Sequence, residues 1–257
     1  MRCMGGKFRQ RRAIADALRP YINGGTTYVE PFLGGGWSFA HVIETCRPGH
    51  AIGADVNGSL VELWKKVVAE GTDWLPTSLE EVEENYAKMR ERDRTGEVGP
   101  LLAWYGAACS FGGRWFEGIA RNKTTTGATG FEAQARSTEK KAASMRTCPD
   151  LRLLCCGYDE LEIPDGAVVY CDPPYNGRYG KLGREFRRGI VFDPEDYYSW
   201  VRELSQRCVV VCTTFDPPED FEVVYDWGDT RVTHLNGRDR AERPTSERLV
   251  RWEGGLW

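Results

Sequence analysis

Thr27-Tyr28-Val29-Glu30-Pro31-Phe32-Leu33-Gly34-Gly35-Gly36-Trp37-Ser38-Phe39-Ala40-His41-Val42-Ile43-Glu44 reads as a strand, a glycine turn and a helix in succession. Thr27 to Glu30 is short and β-prone, the proline and glycines break it, and Phe39, Ala40, Val42 and Ile43 then recur at helical spacing. A second strand, Ala51 to Ala54, ends at Asp55, and Leu60 to Val68 is helical again. Two strands joined by a helix over this short span make the opening β-α-β unit of a Rossmann-like sheet.

Upstream, Arg9 to Leu18 reads as a short helix with Ile14, Ala17 and Leu18 on one side, ended by Pro20. Downstream, residues 71–149 change character. An acidic helix around Glu80 to Arg92 precedes a glycine- and aromatic-rich segment, Ser110-Phe111-Gly112-Gly113-Arg114-Trp115, and a polar run from Arg121 to Gly127. A helix from Phe131 to Arg146 follows, and no parallel-strand pattern interrupts the stretch. It is expected to be an inserted, mainly helical module between two parts of one α/β domain, residues 1–70 and 150–257. In the second part, strands are expected near Leu151 to Cys155, Val168 to Cys171 and Cys208 to Thr213, with a helix at Pro194 to Ser205. A closing pair lies near Glu222 to Tyr225 and Leu249 to Trp252.

The strand Ala167 to Cys171 runs directly into Asp172-Pro173-Pro174-Tyr175. Each proline fixes its own φ and lacks an N–H, and Pro174 pushes Pro173 toward extended geometry. Carbonyls beside Asp172 are therefore held outward and need a donor. An ionised carboxylate is a pure acceptor, so Asp172 and a proline carbonyl can together take both hydrogens of one exocyclic amine, beside the flat face of Tyr175. That combination suits a planar heterocycle bearing an NH2, such as adenine or cytosine. Asp-Pro-Pro alone is also an ordinary turn, and the chain has one such: Asp216-Pro217-Pro218-Glu219 follows another apolar run but lacks the aromatic.

Charge and composition narrow the function classes. The 257 residues are 41% hydrophobic and 28% charged, with a net charge of −4 that argues against indiscriminate coating of nucleic acid. Residues 1–23 nevertheless hold six Lys/Arg against one acid, and Arg178 to Arg188 hold five against Glu185 alone. Such local segments either form a phosphate-binding face or are solvated surface charge. No apolar stretch approaches the ~20 residues of a membrane helix, and the N-terminus lacks the apolar segment of a signal peptide, so a cytoplasmic location is expected. The nine cysteines form no C-x-x-C pair and several sit inside apolar runs, which reads as reduced core thiols and no metal site.

A glycine turn between strand and helix lets a ligand approach the backbone and meet helix N–H groups. Gly34-Gly35-Gly36 fits neither G-x-G-x-x-G nor a P-loop. Asp55 stands about 20 residues beyond it, where nucleoside-binding Rossmann folds place an acid for ribose hydroxyls. Glu30 lies directly before the turn; an acid there repels phosphate and suits a cationic ligand, which favours S-adenosylmethionine over NAD.

Gly5-Gly6-Lys7, Val29-Glu30-Pro31-Phe32-Leu33-Gly34-Gly35-Gly36, Ala54-Asp55-Val56-Asn57 and Val168-Val169-Tyr170-Cys171-Asp172-Pro173-Pro174-Tyr175, in that order, resemble the Dam-type DNA adenine-N6 methyltransferases. The resemblance covers essentially the whole chain. It implies an S-adenosylmethionine-dependent methyltransferase sheet, a target-recognition domain at residues 71–149 and a double-stranded DNA partner bound by a monomer. Lys7 and the backbone around Cys3 would contact the methionine part of the cofactor. Glu30, Phe32 and the glycines including Gly34 would line its cleft, Asp55 would bind the ribose, and Asp172 would touch both cofactor and target amine. Tyr158 stands where the family often has an aromatic beside the flipped base, and is counted with the cofactor residues. Asp172, Pro173, Pro174 and Tyr175 form the catalytic set. One departure is plain: the family commonly has Trp four residues before Lys7, where Cys3 stands here, which would alter one wall of the cofactor pocket.

For DNA the candidates are Arg114, Arg121, Asn122 and Lys123 in the insertion, with Arg178 and Lys181 in the basic loop after Tyr175. Arg pairs bidentately with guanine, Asn with adenine, and Lys more often meets phosphate. Rival readings are a methyltransferase on RNA adenine, cytosine N4 or a protein glutamine, and a non-catalytic DNA-binding relative. Asp rather than Ser or Asn at position 172 favours adenine.

Overall fold

The computed structural model describes residues 3, 5–121, 130–174, 192–229 and 246–256. In chain order these give α1 (Arg11–Leu18), β1 (Thr27–Glu30), α2 (Trp37–Cys46), β2 (His50–Ala54), α3 (Gly58–Glu70), α4 (Leu79–Arg94), α5 (Pro100–Ala103) and α6 (Gly130–Met145). They continue with β3 (Asp150–Leu154), β4 (Val168–Cys171), α7 (Pro194–Ser205), β5 (Val209–Thr214), β6 (Phe221–Asp229) and β7 (Ser246–Trp252). Among the described residues no helix is long and apolar enough to cross a membrane.

One seven-stranded sheet runs in the order β3-β2-β1-β4-β5-β7-β6. The first five are parallel, and β7 pairs antiparallel with both β5 and β6. Sequence order reverses between β1 and β4, the point at which open α/β sheets bind ligands beyond their strand C-termini. The Rossmann-like α/β fold expected from the sequence is present.

Burial on both faces explains the strand sequences. Every residue of β4 is buried, and such doubly covered strands read as continuous apolar runs. Because side chains alternate, Tyr28 and Tyr170 pack into the cluster beneath α1–α3 and α6, while Val29, Val169 and Cys171 pack against α7 on the other face. The same alternation puts Glu30 on the Tyr28 side. Helix starts follow their caps: Asn57 Oδ1 accepts from the N–H groups of Ser59 and Leu60, Ser78 accepts from Glu81, and Asp193 caps α7 ahead of Pro194.

The insertion contributes no strand to the sheet among the described residues. Its α4 and α5 lead into a π-helical turn, Trp104–Ala108, and a 3-10 turn, Phe111–Gly113. Tyr86 organises this corner: its hydroxyl lies 2.7 Å from Ser110 Oγ and accepts from the Gly118 N–H at 3.0 Å. Val82, Tyr86, Met89, Leu102 and Trp104 share one buried cluster with α2 and α3, so these helices are packed onto the sheet domain.

Candidate active site

Two elements of the sheet end side by side at the switch point. β1 ends at Glu30 and enters Pro31–Gly36, while neighbouring β4 ends at Cys171 and delivers Asp172. The turn is left-handed at Gly34 (φ 45°) and Gly36 (φ 63°), where a side chain would be strained. Gly36 has no room either: a Cβ there would lie 2.9 Å from Met145 Cε and Trp64 Cζ2. At Gly34 a Cβ would meet nothing within 4 Å, so this side of the turn faces open space.

Asp55, at the end of β2, braces the turn. Its Oδ2 accepts from the Gly34 N–H at 2.8 Å and its Oδ1 from the Asn57 N–H at 2.9 Å. Burial raises its pKa, and these two backbone bonds work against the rise. The first duty of Asp55 is thus to shape the backbone; its remaining lone pairs can still serve a ribose diol.

Glu30 is 1% exposed. Tyr28 donates to its Oε1 and Ser38 Oγ donates to Oε2 at 3.0 Å. Burial pushes its pKa up to about 8, against the pull of those two hydrogen bonds and of Lys7 and with the help of the Asp172 charge. Burial thus works against the standing negative charge expected before the turn. The reason is tertiary: with no basic partner in direct contact among the described residues, a desolvated carboxylate is costlier than its neutral form.

The negative charge comes instead from a triad that the sequence reading did not assemble. The Lys7 ammonium, 4% exposed, lies 2.7 Å from Asp172 Oδ1 and 3.2 Å from Glu247 Oε1, and donates to the Gly5 carbonyl at 3.0 Å. Burial alone would lower the lysine pKa, but the two carboxylates outweigh it and hold it above the usual value. Two acids around one base leave the centre one unit negative. Sequence did carry a signal for Glu247: in β7 it shares the inward face with Leu249, an acid where alternation asks for an apolar residue.

A second buried lysine was also missed. Lys141 of α6 is 3% exposed and donates to the Gly35 carbonyl at 2.6 Å, with its ammonium 4.1 Å from the Trp37 ring centre and 5.1 Å from that of Trp64. Burial brings its pKa down to about 8. Thr138, Lys141, Ala142 and Met145 form the buried stripe of the helix, so a cation stood among core positions.

Cys3 packs against the same turn: a Cβ on Gly35 would lie 3.4 Å from Cys3 Cβ, and a Cβ on Gly6 would meet both the Cys3 carbonyl and Trp37 Cδ1 at 3.2 Å. The indole beside the Cys3–Lys7 segment is therefore that of Trp37, which also meets Phe8 edge-on at 4.7 Å. Phe32 and Tyr158 stand 5.6 Å apart between ring centres, and Tyr158 continues into Trp200 at 5.0 Å and Tyr197 at 5.6 Å. They form an aromatic wall between the end of β1 and α7.

The two DNA candidates among the described residues lie elsewhere. Arg114 is in the insertion corner, 3.4 Å from Glu117 Oε2, and Arg121 is exposed and 2.8 Å from Glu83 Oε1. Exposed pairs of this kind contribute little, about 0–1 kcal/mol, and exchange readily onto another anion. Pro173 and Pro174 follow Asp172 at the mouth of the cleft, with Pro173 buried. Tyr175, Asn122, Lys123, Arg178 and Lys181 lie outside the described residues. The second Asp-Pro-Pro, at Asp216, is a bend after β5 closed by the Phe221 N–H to the Pro218 carbonyl.

A family model for D12 class N6 adenine-specific DNA methyltransferases matches residues 4–188, a span that takes in Lys7, the glycine turn, Asp55, the insertion and Asp172. Retron Ec67 DNA adenine methylase of Escherichia coli is 26% identical over 216 residues, covering 77% of this chain and 70% of that protein. The chain belongs to the D12 class N6 adenine-specific DNA methyltransferase family.

Proposed function

We propose that the chain transfers the methyl group of S-adenosylmethionine to N6 of an adenine turned out of double-stranded DNA, with Asp172 as the acceptor that orients the amine. The observation carrying this reading is the placement of Asp172 beside Glu30 at the sheet's switch point, held by Lys7 at 2.7 Å.

The residues present fit such a donor. It bears a sulfonium and an ammonium, for which the triad supplies a net negative charge; a ribose, which Asp55 can meet; and an adenine, for which Phe32 and Tyr158 offer flat faces. Gly34 opens the turn on the cleft side. When bound, S-adenosylmethionine supplies an electrophilic methyl on a good leaving group, so the chemistry needs no metal.

The chain's own contribution is acceptance and positioning. Asp172 and the Pro173 carbonyl take hydrogen bonds from N6, raise electron density on the nitrogen as it rehybridises, and hold it in line for displacement. Effective molarities for such positioning reach about 7–11 kcal/mol at best. Because the target sits inside the stack, the base must be extruded, at a cost of a few kcal/mol. On sequence grounds Tyr175 supplies the face on which it stacks. Residues 71–149, with Arg114 and Arg121, form the recognition module. Every group invoked belongs to one chain, so a monomer suffices, acting where DNA lies in the cytoplasm.

Labelled S-adenosylmethionine and DNA from a methylation-deficient host test the reading. Label in N6-methyladenine of the DNA is expected; label at cytosine N4, in RNA only or in protein overturns it in favour of another amine, and binding without transfer favours a non-catalytic relative.

A further inference from the structure

Glu247 reaches the centre from β7, the antiparallel strand inserted between β5 and β6. Nothing local explains an acid there. It is 5% exposed, on the inward face that it shares with Leu249, and an acid so buried is costly unless it is paired. Its pairing is specific. Oε1 faces the Lys7 ammonium at 3.2 Å, and Oε2 accepts from Gln10 Nε2 at 2.8 Å. An ammonium has three hydrogens to donate, and the acceptors of Lys7 among the described residues include the Gly5 carbonyl, Asp172 Oδ1 and Glu247 Oε1, all within 3.2 Å.

This arrangement bears on what Asp172 can do. A lysine paired with Asp172 alone would neutralise it and weaken it as an acceptor for an incoming amine. Two carboxylates without a lysine between them would repel each other. Shared between the two acids, the ammonium fixes one oxygen of Asp172 while leaving the pair with net negative charge.

We propose that Glu247 is a positioning residue for methyl transfer: through Lys7 it holds the ammonium at Oδ1 of Asp172 and divides its charge, keeping that carboxylate oriented and strongly accepting. The proposal rests on the reading of Asp172 as the amine acceptor. It predicts a contribution to the rate of the transfer step itself, beyond any part Glu247 plays in folding.

The test is single-turnover methyl transfer by the full chain, at saturating S-adenosylmethionine, to DNA from a methylation-deficient host. Glu247→Gln keeps the shape and removes the charge; it is expected to slow transfer at least tenfold while keeping the melting temperature within a few degrees. Glu247→Asp, shorter but charged, is expected to recover a large part of that rate. A Glu247→Gln protein that transfers at the wild-type rate overturns the inference, and so does a folded Glu247→Asp protein as slow as Glu247→Gln. Should Glu247→Gln fail to fold, Gln10→Met, which removes only the hydrogen bond on Oε2, is measured instead, and a wild-type rate there overturns it. A wild-type protein that transfers nothing to DNA overturns the underlying function, an outcome distinct from an active wild type with an equally active Glu247→Gln.

Discussion

Lys141 Nζ donates to the Gly35 carbonyl across 2.6 Å, so the last helix of the insertion grips the middle of the cofactor-side turn. The helix that precedes β3 and the glycine turn after β1 are thereby mechanically one piece. A carbonyl held by a buried cation between two indoles has little freedom to rotate.

Replacing Lys141 by Met keeps the volume between Trp37 and Trp64 and removes the bond to Gly35. The expected result is a donor affinity weakened about tenfold, on the scale of a charge-assisted hydrogen bond of about 1.5–3 kcal/mol, with DNA affinity little changed. Calorimetric titration with S-adenosylmethionine, beside a DNA-binding measurement, checks both halves.

Glu30 makes stability depend on pH in a definite direction. Its folded pKa of about 8 lies above the ordinary value of 4.5. Between those values the folded state keeps a proton that the unfolded chain has released, so stability falls as pH rises through that window. Glu30→Gln removes this slope, which amounts to a few kcal/mol on the order of the shift itself. Urea unfolding of both proteins at pH 5 and pH 8 reads the difference; equal slopes would remove the buried neutral acid from the account.

Asp172→Ala deletes the amine acceptor but leaves Lys7 its partner Glu247. Transfer is expected to fall by at least about 10²-fold, comparable to the loss of one preorganised hydrogen-bonding group in other active sites. The fold should persist by circular dichroism. A folded, fully active variant would contradict the assignment.

Gly36→Ala combines two penalties. The residue is left-handed at φ 63°, and a Cβ would press on Met145 and Trp64 at 2.9 Å. Strain of about 1–2 kcal/mol and overpacking of about 1–3 kcal/mol should lower the unfolding free energy by a sum of that order, read from a denaturant midpoint. Gly34→Ala meets open space and carries the backbone term alone.

Sequence and structure divide the explanation by range. Strands β1, β2, β4 and β5 were legible because parallel strands buried on both faces are largely apolar runs bounded by turn residues, whereas β3 is a half-exposed edge strand, and Asp172 was legible because two prolines make a strand end distinctive. Helices α4 and α6 were legible from their composition, while α5 and the π-helical turn after it were not singled out. Lys141 and Glu247 were visible only as charges at core positions, since their partners Gly35 and Lys7 lie 106 and 240 residues away.

Local chemistry in the sequence by itself therefore determined the sheet's opening unit, the glycine turn and the Asp-Pro-Pro corner at Asp172. Only the tertiary structure decided that burial raises the pKa of Glu30, that Lys7 is shared between two acids and that α6 holds the turn. Ionisation and pairing are set by burial and by contacts between distant segments, and these exist only once β7 has come to lie beside β5.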